Sequence, residues 1–106
     1  AQYRSVIKST LDRVEKAFDN VDPDIAECSV QFGALTILFP SGQKCILSAQ
    51  PSVEQLWMAL ASKGIAYHFD YDHDREEWRD DRGEGIEPLA FLQKFLREAT
   101  GLELTF

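Results

Sequence analysis

The stretch GALTILFPSGQKCILS, Gly33 to Ser48, decides the fold. Leu35-Thr-Ile-Leu-Phe39 is rich in the β-branched and aromatic residues that fit a pleated surface. Pro40-Ser-Gly-Gln43 is a turn signal, and Lys44-Cys-Ile-Leu-Ser48 reads as the return strand of a hairpin. Upstream, Cys28, Val30 and Phe32 alternate with Ser29 and Gln31, the period of a half-buried strand. Downstream, Gln55 to Ala59 reads as a short strand or as helix, and Ile65 to Tyr71 is aromatic and alternating. Asp72 to Glu76 is a polar loop, and Glu77-Trp78-Arg79 is a last short strand.

Helical spacing brackets this β-rich middle. Tyr3, Val6, Ile7, Leu11, Val14, Phe18 and Val21 recur every three or four residues, which predicts an amphipathic helix over 3–20, ended by Asp22-Pro23. Pro88 suits a first helical turn, Leu89, Leu92, Phe95, Leu96 and Ala99 follow at helical spacing, and Gly101 suits the stop. The tail alternates Leu102, Leu104 and Phe106 and is expected to pack down. Helix, antiparallel strands, helix is the order of an α+β fold: an α-β sandwich with two helices packed on one face of an antiparallel sheet. The other sheet face is left to solvent or a partner. A chain of 106 residues, 1–106, suggests one domain.

Composition excludes several functions. A net charge of −7 repels nucleic acid phosphates and anionic membranes and favours a cation or a basic protein. No apolar run reaches the length of a membrane span, and AQYRSVIKST lacks a signal peptide's apolar core. Cys28 and Cys45 are too few for a disulfide framework and read as reduced thiols of a cytoplasm-like compartment. Neither lies in a nucleophile motif, and no glycine-rich phosphate loop is present.

The negative charge is concentrated. Asp12, Glu15 and Asp19 fall along one helix edge, and Asp22, Asp24 and Glu27 extend the row, with no Lys or Arg between Lys16 and Lys44. Glu15 and Asp19 repel at i,i+4, and Asp19 and Asp22 lie near the negative end of the helix dipole. Charge placed against stability marks either a solvated face that keeps the protein soluble or a docking surface for a basic protein or hard cation. Carboxylate oxygens suit Mg²⁺, Ca²⁺, Mn²⁺ and iron, but a row spread over about three helical turns cannot wrap one ion, so binding should be weak. In Phe69–Trp78, Asp70, Asp72 and Asp74 mimic the opening of a calcium loop, yet Arg75 stands where glycine is needed and Asp81 where a bidentate Glu is usual. His68 and His73 read as structural or solvated rather than as ligands. By type and spacing alone Trp57 reads as core.

The ordered set Gly33-x-Leu35-Thr36-Ile37-x-Phe39, a glycine turn, a strand ending in Gln50-Pro51, Gln55-x-Trp57-x-Ala59, His68-Phe69, Trp78, and Arg82 with a following Gly-Glu resembles the frataxin family, most closely its bacterial CyaY form. The resemblance covers nearly the whole chain. It implies an α-β sandwich whose acidic ridge binds ferrous and ferric iron weakly and docks onto a cysteine desulfurase in iron–sulfur cluster assembly. Glu15, Asp19, Asp22, Asp24 and Glu27 match that ridge, and Asp12 is a local addition. Lys16 stands where the family is often acidic. Gln50 and Trp57 match contact residues on the open sheet face, which turns Trp57 toward solvent, while Ser48 replaces a usual Asn. Arg82-Gly-Glu-Gly85 is shifted by one residue from the usual register. The resemblance therefore implies weakly bound iron as cofactor, and the cysteine desulfurase and scaffold protein as partners, with Asp19, Asp22, Gln50 and Trp57 making the contacts. It further implies a monomer, with oligomers under iron load left open, and a bacterial cytoplasm in preference to a mitochondrial matrix. Two alternatives stay open: an acidic interaction module without a metal role, and a ferroxidase, disfavoured because no Glu-x-x-His motif exists.

Overall fold

The computed structural model describes residues 2–106; Ala1, the first residue of the expected domain, lies outside the described residues. Helix α1 spans Gln2–Ala17 and helix α2 Pro88–Thr100. Between them run six strands: β1 (Glu27–Gln31), β2 (Ala34–Leu38), β3 (Lys44–Gln50), β4 (Gln55–Leu60), β5 (Ile65–Asp72) and β6 (Glu77–Asp80). They form one antiparallel sheet in sequence order, β1 to β6, so each strand pairs with the next through a short connection. This is the expected α+β sandwich.

Period-two burial sets the core face. Leu35, Ile37, Cys45, Leu47, Leu56, Met58, Leu60, Tyr67, Phe69 and Trp78 alternate inward from five strands. The helices cover that face: Tyr3, Ile7, Leu11 and Val14 are buried from α1, and Leu89, Leu92, Phe95 and Leu96 from α2. Polar locks fix the layers. The Trp78 indole Nε1 donates to Thr10 Oγ1 at 2.9 Å inside the core. Tyr3 OH donates to the Gln55 carbonyl at 2.6 Å and accepts from the Gln50 amide at 3.0 Å, tying α1 to the β3–β4 connection. Helix α2 begins with Pro88 after Glu87, whose side chain caps the Ala90 amide at 2.6 Å, and stops at Gly101 with φ 78°. The tail packs down as expected: Arg13 Nη2 donates to the Phe106 carbonyl and Gln93 Nε2 to the Leu104 carbonyl, each at 2.8 Å.

Two local expectations change and two open points are settled. Helix α1 ends at Ala17, not at 20, because Phe18 and Asp19 bond back three residues, to Glu15 and Lys16, in a tightened turn. Gln55 onward is strand, since its alternating Leu56, Met58 and Leu60 pair on both sides with β3 and β5. Phe32 does not continue β1: it sits in the turn to β2 with φ 52° and is 100% exposed, and Val30 at the free edge is 40% exposed. Alternation there reflects the sheet's period, not burial, since Val30 and Phe32 both stay exposed. The shifted Arg82–Gly85 loop is organised by Asp80, which accepts backbone N–H bonds from Arg82 at 2.8 Å, Glu84 at 2.7 Å and Ile86 at 3.5 Å.

Candidate metal and partner surface

The end of α1 and the start of β1 converge on one edge of the sandwich. Asp12, Glu15, Asp19 and Glu27 line a hollow of about 520 Å³ together with Lys16, Phe18, Ala26 and Cys28. All four carboxylates are exposed, whereas Phe18 and Ala26 beneath them are buried. The apolar floor is what brings the two carboxylate-bearing segments together. Asp12 is paired, accepting from Lys8 Nζ at 2.7 Å in an exposed i,i+4 contact. Asp22 and Asp24 stand in the following turn. There the Asp22 carboxylate also shapes the backbone. Its Oδ1 accepts from the Asp24 amide at 2.9 Å, an Asx turn that starts the approach to β1. Among the described residues, no three His, Cys, Asp or Glu side chains converge closely enough to hold a metal ion. The donors suit a hard cation in kind, but the ion would touch few of them at once and keep much of its water.

Cys28 opens onto this hollow from the core face of β1. Burial pushes its thiol up to about 11, and Glu15 adds to the shift. Cys45, across Ile37 in the sheet register, is pushed up to about 12 by deeper burial and by Cys28. Both are free and protonated at neutral pH, so neither offers a thiolate.

The open sheet face holds the second candidate surface. Trp57 lies there, half-buried, which corrects the core reading and agrees with the resemblance. Pairing puts Ser48 on one side of it and His68 on the other. The indole and imidazole stack with centroids 4.3 Å apart and planes 18° from parallel. The indole Nε1 donates to Gln55 Oε1 at 2.9 Å, and Gln55 Nε2 donates to Asp70 Oδ1 at 3.1 Å. His68 Nδ1 lies 3.6 Å from Asp81 Oδ2. Gln50 Nε2 reaches Ser48 Oγ at 3.5 Å, on the same face. Gln55 and His68 thus fix the Trp57 ring. Sequence reading missed both, although placing the 55–59 and 65–71 strands side by side sets His68 opposite Trp57.

The calcium-like stretch has structural partners. Asp72 Oδ1 accepts from the amides of Asp74 and Arg75, at 3.0 and 3.1 Å, and closes the β5–β6 turn. Arg79 lies 3.8 Å from Asp72 and 3.5 Å from Glu77, and His73 sets its ring against Tyr71.

Comparison with known proteins agrees with this architecture. A family description, the frataxin-like domain, matches residues 1–102. The iron-sulfur cluster assembly protein CyaY of Pseudomonas fluorescens Pf0-1 is 35% identical over all of this chain and 93% of its own length. The protein of the same name from Pseudomonas aeruginosa is 36% identical, over all of this chain and 94% of its length. Among solved structures, a frataxin from Psychromonas ingrahamii superposes with a TM-score of 0.83 at 22% identity, covering 97% of this chain and 92% of that one. A trimeric yeast frataxin complexed with ferrous iron gives 0.71 at 20% identity, over 96% and 88%. At such identities the structures speak to the fold alone, but the family match and the curated relatives span the chain. The chain belongs to the frataxin family, among relatives that carry the CyaY name.

Proposed function

We propose that this protein serves iron–sulfur cluster assembly in a bacterial cytoplasm, as a non-enzymatic component that binds iron weakly and docks onto the cysteine desulfurase and its scaffold protein. The observation that carries this reading is the acidic edge. Six carboxylates, at 12, 15, 19, 22, 24 and 27, follow one another with Arg13 and Lys16 as the basic residues of the segment and none after Lys16. Asp12 aside, no ion pair among the described residues neutralises them. That field draws Fe²⁺ and a Lys/Arg-bearing surface alike. Dispersed donors suit a cargo ion that must leave again better than a resident one, and they do not assemble the compact di-iron centre that ferroxidase turnover uses. Gln50 and Trp57, on the open face, would meet the scaffold protein, with the indole already held by His68 and Gln55.

Glu15→Lys with Asp19→Lys tests the reading without touching a turn bond; Asp22 is a poorer choice, because its carboxylate also holds the Asx turn. Calorimetric titration against purified cysteine desulfurase should lose binding in the double variant while the far-ultraviolet spectrum stays unchanged. Undiminished binding would contradict it. Binding that survives iron chelation but not charge reversal would favour the interaction module without a metal role.

A further inference from the structure

The β1–β2 connection is two residues long, Phe32 and Gly33, between the paired Gln31 and Ala34. Both take positive φ, 52° and 75°, as a type I′ turn demands. Asn, Asp and Gly meet that demand easily at its first position; a bulky aromatic does not. Phe32 is nonetheless there, and its ring recovers nothing from the fold. It is 100% exposed, while Phe18, Phe39 and Phe95 are each 8% exposed and Phe69 is fully buried. Backbone and core both argue against the residue, so its use lies outside the chain.

Its surroundings narrow the choice of occupant. The turn caps β1, the free edge of the sheet, where Val30 adds exposed apolar surface. Gly33 is joined to β3 by the Ala49 amide at 2.9 Å, beside Gln50 of the open face. At the other end of β1, roughly 17 Å away at strand rise, Glu27 belongs to the acidic hollow. A second copy of the chain would bring an equal net charge of −7 to the same edge, and an anionic bilayer would be repelled likewise. A basic protein surface holding an apolar pocket matches the ring and the carboxylates together.

We propose that Phe32 is an aromatic anchor for the partner that docks along the acidic edge: its ring enters an apolar pocket of that partner while the carboxylates at the other end of β1 face Lys or Arg. This rests on the docking reading given above. Ring and charge are separable, because the apolar contact governs the lifetime of the complex and the charges govern its salt dependence.

Three variants are titrated against purified cysteine desulfurase at low and high salt, each with a thermal melt. Phe32→Asn relieves the turn, so its melting temperature should hold or rise, yet its affinity should fall about tenfold with the salt dependence kept. Phe32→Tyr keeps the ring and should bind within about threefold of the parent. Glu15→Lys with Asp19→Lys is the reference for the edge itself. If Phe32→Asn binds like the parent while the charge reversal loses binding, the anchor is overturned and the docking reading stands. If the unaltered chain does not bind, or the charge-reversed chain binds as well as the parent, both fall.

Discussion

Asp19→Lys should make this protein more stable and less able to bind. Helix α1 ends at Ala17, and Asp19 follows in the tightened turn, its amide bonded to the Lys16 carbonyl at 3.1 Å. The last carbonyls of the helix therefore face a carboxylate, with Lys16 as the basic residue of the last turn. A charge at a helix end contributes about 0.3–1 kcal/mol, unfavourable for an anion at this end and favourable for a cation. Reversal removes one effect and adds the other. Asp19 is exposed and just past the helix, so the lower end of that sum applies, about 0.6–1 kcal/mol. For a domain of this size that raises the melting temperature by about 2–8 °C. Raising salt from about 0.01 M to 1 M shrinks the Debye length from about 30 Å to about 3 Å and should erase most of the gain. Glu98→Lys near the end of α2 is the control: it should give a similar gain while leaving iron and desulfurase binding intact. A melting temperature at low salt that is unchanged or lower in Asp19→Lys would show that the edge is not held against stability.

The two tryptophans should respond to different extents: Trp78→Ala, emptying the core and removing the indole donor to Thr10, is expected to lose about 3–5 kcal/mol in urea unfolding, and Trp57→Ala about 1 kcal/mol or less beyond its stack. Equal losses would contradict the assignment of Trp57 to the open face. The thiols give an alkaline prediction. Their folded values, about 11 and about 12, lie above the ordinary 9.0, so protonated Cys28 and Cys45 contribute stability that is complete below pH 9 and is lost as pH rises through 11 and 12. Replacing both by Ala should flatten that limb of the stability curve. At pH 8 the Cys28 thiolate fraction should be about a hundredfold below that of a free thiol, and alkylation by iodoacetamide correspondingly slow; alkylation at the free-thiol rate would refute the burial.

Much of this was legible because burial and period coincide in the middle of the sheet. Leu35, Ile37, Cys45 and Leu47 alternate and are buried, so strand and core are read together. Where the two part company, the sequence misleads. Phe32 keeps the alternation but sits fully exposed in a turn, and Trp57 is large and apolar yet faces outward. The acidic row and its continuation to Glu27 were visible as charge, but the hollow it lines over the buried Phe18 and Ala26 was not. The Asx turn closed by Asp22, the pairing of Asp12 with Lys8, and the role of Asp80 in the shifted glycine loop are hydrogen-bond facts that no spacing rule supplies. His68 opposite Trp57 needed only the strand register, which follows once 55–60 is strand.

The landing site proposed for iron is the edge built from the end of α1 and the start of β1. It is tested most directly by an anaerobic Fe²⁺ titration followed through two-dimensional amide spectra, with Ca²⁺ in parallel. The prediction is paramagnetic broadening confined to the amides of residues 12–28, shifts of the same amides with Ca²⁺, and a quiet signal from α2 and from the open face around Trp57. Broadening centred on His68, His73 or the Asp72–Asp74 turn, or none that is localised, would contradict it.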